Sequence, residues 1–234
     1  MSDASTQKRL RVRYRKDGRL AYLGHLEVLN TINRSVRRSD VPFAVGNGFA
    51  RRIRLQFSQA LPVGASSECE FYDLTLTEEL EPSRALDMLR RATPSALAPD
   101  EAGYVDRSLP ALEAWLTRAD WHVQLPAQGV DVSGLGESFS ALKSEGVLSY
   151  LRGEKRKTID VSSALVSWEI SLMDDALHIE LATRSSNDGS LRPQVLLNAA
   201  FDRLGVAGSD VPVPRVARVG QWHEGEDGLL VNAL

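Results

Sequence analysis

Cysteine occurs once in this chain, at Cys69. One thiol makes no intramolecular disulfide and cannot supply the several thiolates of an iron–sulfur cluster or a structural zinc site. The four histidines, His25, His122, His178 and His223, stand far apart with neither HxxH nor HExxH spacing. The pattern therefore argues for no metal and no other cofactor. No apolar run approaches the roughly 18 residues that a membrane-spanning helix needs. The start, MSDASTQKRLR, lacks the apolar segment of a signal peptide. A cytoplasmic protein with a short, polar, frayed N-terminus and no membrane contact is expected. P-loop, GxGxxG, HExxH and GxSxG motifs are also missing, which weakens the case for a common NTPase, dehydrogenase or hydrolase.

What is present is an ordinary globular composition with an uneven charge. Hydrophobic residues make up 43% and charged residues 25% of 234 positions, enough for one large domain or two small ones, each with a core. The net charge of -3 conceals a basic first quarter. Between Lys8 and Phe57 there are 13 Lys and Arg against 3 acidic residues, a local +10. Acidic residues collect at 68–81 and near the C-terminus. Such asymmetry points to a polyanionic partner and says nothing of fold.

The segment LRVRYR (10–15) alternates strictly, the period-two mark of a strand with one buried face. Leu26, Leu29, Ile32 and Val36 recur at helical spacing, predicting an amphipathic helix over 25–38. Alternation returns in RIRLQF (52–57), and a further strand is read at 70–77. Pro82 opens a helix to 91, with proline in the first turn, and a last strand falls between 97 and 106. The order β-α-β-β-α-β is that of the ferredoxin-like split. The remainder repeats it loosely, with strands at 121–125, 147–152, 167–172, 176–183 and 213–219 and helices at 133–143 and 191–204. The expected class is thus α+β, two ferredoxin-like halves with antiparallel sheets. The first spans 8–107 and the second 108–234, divided within 105–110.

In that arrangement Arg11, Arg13 and Arg15 share the open face of the first strand, beside Phe71, Asp73 and Thr75 on the third. Arg34 and Arg38 ride on the first helix, where cations also suit the helix dipole. Arg51, Arg52 and Arg54 follow on the second strand. Like charges on neighbouring strands cost roughly 0.2–1 kcal/mol per opposed pair. A counter-charge must come either from within, through Asp73 or a helix of the second half, or from nucleic-acid phosphates. Tyr14 and Tyr72 point inward by alternation, which leaves Phe71 as the stacking candidate of an RNA-binding face. Lys155, Arg156 and Lys157 form a second basic run, read as a solvated loop or a phosphate contact. NDGSLRP (187–193) sets a glycine turn, a serine cap and Arg192 at a helix start, either an ordinary cap or an anion site. His25 opens the first helix and is either a packing histidine or a general acid/base for RNA cleavage.

The segments GRLAYLGHLE, the NGF turn, ALPVG and the acidic strand after it, with KRKTIDVSSAL and GSLRP further on, resemble the bacterial radical-SAM-linked protein family. At Ala50-Arg51-Arg52 the chain departs from that family's usual Pro-His step. The resemblance implies a protein of uncharacterised role, encoded beside or fused to a radical-SAM protein and often near a ribonuclease of the E/G type. The lone Cys69 agrees with the linked partner and not with the cluster-bearing enzyme. Three functions are therefore carried forward. The first is a non-catalytic RNA-binding accessory protein acting with such an enzyme. The second is a metal-independent endoribonuclease using His25. The third is a protein–protein adaptor with no RNA affinity.

Overall fold

A computed structural model describes residues 7–186, 189–206 and 210–234. Residues 1–6, where fraying was expected, and Asn187 and Asp188 of the expected turn lie outside the described residues. The protein is mixed α+β, mostly antiparallel sheet with six α-helices among the described residues. It divides into two compact units, Met1–Leu116 with Val231–Leu234, and Thr117–Leu230.

The first unit runs β1 (Lys8–Lys16), α1 (His25–Arg38), β2 (Leu55–Phe57), β3 (Ser66–Leu76), α2 (Pro82–Ala92), β4 (Pro99–Val105) and α3 (Leu112–Trp115). Its strands lie in the order β4-β1-β3-β2, all antiparallel. Alternation sets the core face: Leu10, Val12 and Tyr14 of β1 meet Tyr72, Leu74 and Leu76 of β3 beneath Val28, Ile32 and Val36 of α1 and Leu89 of α2. The start of α1 is capped from within, the Gly24 N–H donating to Glu27 Oε2 at 2.7 Å, which satisfies one of the free donors of a first turn.

Two expectations change here. The strand expected over 52–57 shrinks to Leu55–Phe57, because Ile53 pairs instead with Val45 in an isolated bridge that closes a turn. The second change is larger. The other face of β1 and β3 is not open, since Phe71 and Cys69 pack there with Leu112, Trp115 and Leu116 around α3, and with Ala233.

The second unit runs β5 (Arg118–Pro126), α4 (Val132–Glu145), β6 (Val147–Arg152), β7 (Lys155–Asp160), α5 (Val161–Ala164), β8 (Leu165–Met173), β9 (Ala176–Ser186), β10 (Gly189–Ser190), α6 (Pro193–Arg203) and β11 (Arg215–Glu224). Its strand order is β11-β5-β9-β8, with β10 against the end of β9. Trp121, Val123 and Leu125 of β5 and Leu177, Ile179 and Leu181 of β9 are buried, as are Leu135 and Phe139 of α4 and Leu196, Leu197 and Phe201 of α6. β6 and β7 form a separate two-stranded ribbon. The run 155–157 therefore lies in a strand and not in the loop expected of so many cations.

Candidate nucleic-acid interface

On β1 the arginines are neutralised from within. Arg11 is fully buried. Its Nε donates to Asp73 Oδ1 at 2.8 Å and its Nη2 to Oδ2 at 3.1 Å, while Nη1 donates to the Ala233 carbonyl at 2.9 Å. The guanidinium also lies 4.7 Å from the Trp115 ring centroid. Arg9 shares the same carboxylate, Nε to Oδ2 at 2.7 Å, and donates to the carbonyls of Leu109 and Pro110. Arg13 pairs with Asp100 at 2.9 Å and Glu101 at 2.7 Å. The Asp100 hydrogen bond raises the Arg13 pKa above its ordinary value, against partial burial. Two expected contacts are corrected by this. Arg11 is fully buried on an internal carboxylate, and Phe71 is buried against α3, both away from the open face expected of them.

The remaining cations of the first unit are placed differently. Arg15, Arg34, Arg51 and Arg52 are exposed, with no ion pair among the described residues. Arg38 donates to the Ala92 carbonyl at 3.4 Å, and Arg54 donates to Gln7 Oε1 at 2.9 Å. His25 is half-buried and meets Phe57 edge-on, centroids 6.3 Å apart. Burial lowers its pKa despite the pull of Glu70 and Glu113.

The second unit gathers what the sequence lists separately. Gly153 adopts φ 62 in the two-residue turn between Arg152 and Lys155, the left-handed geometry that tight hairpins require. Tyr150 opposes Lys157 and Arg152 opposes Lys155. Directly opposed residues share a face, as do positions two apart, so Tyr150, Arg152, Lys155 and Lys157 form one basic and aromatic side of the ribbon. Arg156, opposite Leu151, is on the other side. Lys155, Arg156 and Lys157 are exposed and make no ion pair among the described residues. Arg192 caps α6 with no side-chain hydrogen bond to the helix. Burial lowers the Arg192 pKa, and the cations of Arg152 and Arg218 act in the same direction against Tyr150. Arg218 is itself buried, its guanidinium 4.6 Å from the Trp121 ring centroid.

Sequence reading reaches Lys155, Arg156, Lys157 and Arg192 but misses Tyr150 and Arg218. The signal for Tyr150 is the L-x-Y-x-R alternation of 148–152, legible only once 155–159 is recognised as its partner strand. Arg218 carries no such signal.

Two histidines that sequence spacing keeps apart are neighbours across β5 and β9. His122 Nε2 and His178 Nδ1 are 2.9 Å apart, with Glu180 Oε1 3.8 Å from the same His122 nitrogen. Ring nitrogens at that separation share a proton. Among the described residues no group of three or more His, Cys, Asp or Glu is arranged to hold a metal ion.

The molecule so described is a mixed α+β protein with exposed cations on a β-ribbon that make no ion pair among the described residues. The chain belongs to a family described as an uncharacterised protein conserved in bacteria, DUF2344, whose model matches residues 9–193. No curated protein matches it. Among solved structures it is similar to a chain in the crystal structure of a Cbf5-Nop10-Gar1 complex, at 8% identity and a TM-score of 0.50, over 93% of this chain and 50% of that one. The chain thus spans about half the length of that relative, and the likeness speaks to fold alone. An unknown protein from Galdieria sulphuraria is matched at 9% identity over 92% of this chain and 99% of that one, but its TM-score of 0.28 carries no argument. No helix among the described residues is long and apolar enough to cross a membrane.

Proposed function

We propose that this protein binds RNA through phosphate contacts made by the β6–β7 ribbon and the start of α6. In this reading it is a non-catalytic cytoplasmic accessory to a radical-SAM enzyme or an E/G-type ribonuclease, the setting its family resemblance implies. One observation carries the reading. Arg152, Lys155 and Lys157 share one exposed face of the ribbon with no ion pair among the described residues, and Arg152 lies near enough to Arg192 to act on it as a like charge. Cations that share a face without counter-charges keep a positive field there, and a polyanion is drawn to it. Tyr150 offers a ring beside the cations, the pairing of charge and stacking used for single strands. Each unit places its fourth strand beside its first and its second beside its third, which supports reading both as ferredoxin-like halves, the second with a ribbon inserted.

The test is fluorescence-anisotropy titration of short RNAs at about 50 and 200 mM salt, where phosphate binding weakens steeply with salt. Replacing Lys155, Arg156 and Lys157 together by alanine is expected to flatten the slope of log K against log salt by roughly 0.7 for each lost single-strand phosphate contact. An absence of binding at the lower salt would leave the adaptor reading. Gel analysis of the same samples reports cleavage. Cutting that disappears in His25→Ala with binding retained would move the reading to an endoribonuclease.

A further inference from the structure

The turn between Val45 and Ile53 in the first unit presents an aromatic ring that the phosphate site does not use. Phe49 is fully exposed, the most exposed large hydrophobic side chain described. Leaving a phenylalanine in water forgoes the free energy that burial of its ring would contribute. The backbone beneath it is closed at both ends. The Gly46 N–H donates to the Arg52 carbonyl at 2.8 Å and the Arg51 N–H to the Gly48 carbonyl at 2.9 Å. Phe49 therefore sits at the first corner of a four-residue turn, on a hairpin closed by the Val45–Ile53 bridge. Arg51 takes φ 40, the left-handed region that a side chain of this kind rarely adopts. Arg51 and Arg52 follow Phe49 two and three positions on, exposed and without an ion pair among the described residues.

We infer that Phe49 is a base-stacking finger for unpaired nucleotides, its ring taking the face of one base while Arg51 and Arg52 take the adjoining phosphates. The inference rests on the RNA-binding reading and adds to it a substrate class, single-stranded in preference to duplex. Charge complementarity selects this occupant. Its neighbours in the turn, Asn47, Gly48, Ala50, Arg51 and Arg52, carry no large apolar side chain, and Val45 at the base of the hairpin adds one partly exposed aliphatic, little area for a protein hot spot or for insertion into a bilayer. A nucleotide instead needs one ring and one or two cations. Bases in a duplex already stack on their neighbours, so an aromatic finger gains most from a base that is free.

The experiment uses the protein with a single-stranded RNA carrying 2-aminopurine, an RNA duplex of equal length, and anionic phospholipid vesicles. Phe49→Ala is expected to weaken single-strand binding by roughly 5- to 150-fold. The salt slope and the duplex affinity stay as they were. The 2-aminopurine quench seen with the native protein should vanish in Phe49→Ala and persist in Phe49→Trp. Equal losses on single strand and duplex, or unchanged single-strand binding, would overturn the finger. So would vesicle binding that depends on Phe49 while RNA binding does not. If the Lys155, Arg156 and Lys157 replacement weakens RNA binding and Phe49→Ala does not, the finger fails alone. If the native protein binds no RNA, both readings fall together.

Discussion

Arg9, Arg11 and Arg13 on β1 and Arg152, Lys155 and Lys157 on the β6–β7 ribbon are both rows of cations set by two-residue alternation in strands. Their surroundings make them opposites. The β1 row faces an acidic neighbour strand, so that Asp73 lies between Arg9 and Arg11 and accepts from both. α3 and the last residues then close over it. Taking a guanidinium out of water costs several kcal/mol, and the cost is offset only by a well-placed counter-charge and further hydrogen bonds. Arg11 has a carboxylate, a carbonyl and a ring face around it. The ribbon row has none of these. Its side chains remain in solvent, where holding them apart is inexpensive and their charge stays available. A row of arginines on a strand is thus ambiguous until its partner strand and its cover are known.

The largest test of this contrast is Asp73→Ala. It strips the paired carboxylate from a completely buried guanidinium and is expected to cost about 3–5 kcal/mol. In a chain of this size that is a fall in Tm of roughly 10 °C, read by thermal denaturation. The ribbon replacement described above should change Tm by less than about 0.5 kcal/mol equivalent, as surface substitutions do. A small effect of Asp73→Ala would show that the β1 face opens in solution and would restore it as a ligand surface.

A smaller effect belongs to the paired arginines of the second unit. Arg184 donates through Nε and Nη2 to Glu224 at 2.5 and 2.6 Å, and Arg118 approaches the same carboxylate at 3.7 Å. The Arg184 hydrogen bonds lower the Glu224 pKa below its usual 4.5. The sign follows from that direction. A carboxyl more acidic when folded adds stability above its unfolded pKa and loses it as pH falls through the lower folded value. Glu224→Gln is expected to cost about 1 kcal/mol at pH 7, with native and variant converging in urea denaturation as the pH falls below the ordinary carboxylate range. A constant gap across that range would mean that the pair contributes packing and not charge.

Much of the architecture was legible because alternation and helical spacing are local signals. The 10–15 strand, the 25–38 helix and the inward places of Leu10, Val12, Tyr72 and Leu74 all follow from neighbours in the chain. What was not legible depends on distant chain. The carbonyl that accepts from Arg11 lies 222 positions away at Ala233, and α3, which buries Phe71, is a single turn of helix too short to carry a periodic signature. The ribbon hid for a different reason. Lys155, Arg156 and Lys157 read as a solvated charge run because strand propensity disfavours lysine, and only pairing with 147–152 gives the run its two faces. His122 and His178 likewise meet across two strands, 56 positions apart.

The smallest effect is the sharpest control. Arg13 lies between the two classes, half-exposed yet paired with Asp100 and Glu101. Exposed pairs contribute about 0.2–1 kcal/mol, so Arg13→Ala should lower Tm only slightly, and less in about 1 M salt, where such pairs are screened. Its charge is already spent on two carboxylates, so RNA affinity and salt slope should match those of the native protein. If Arg13→Ala instead flattens the slope as a ribbon residue would, Asp100 and Glu101 yield their arginine to phosphate. The division between neutralised and available cations would then hold for the unliganded protein only.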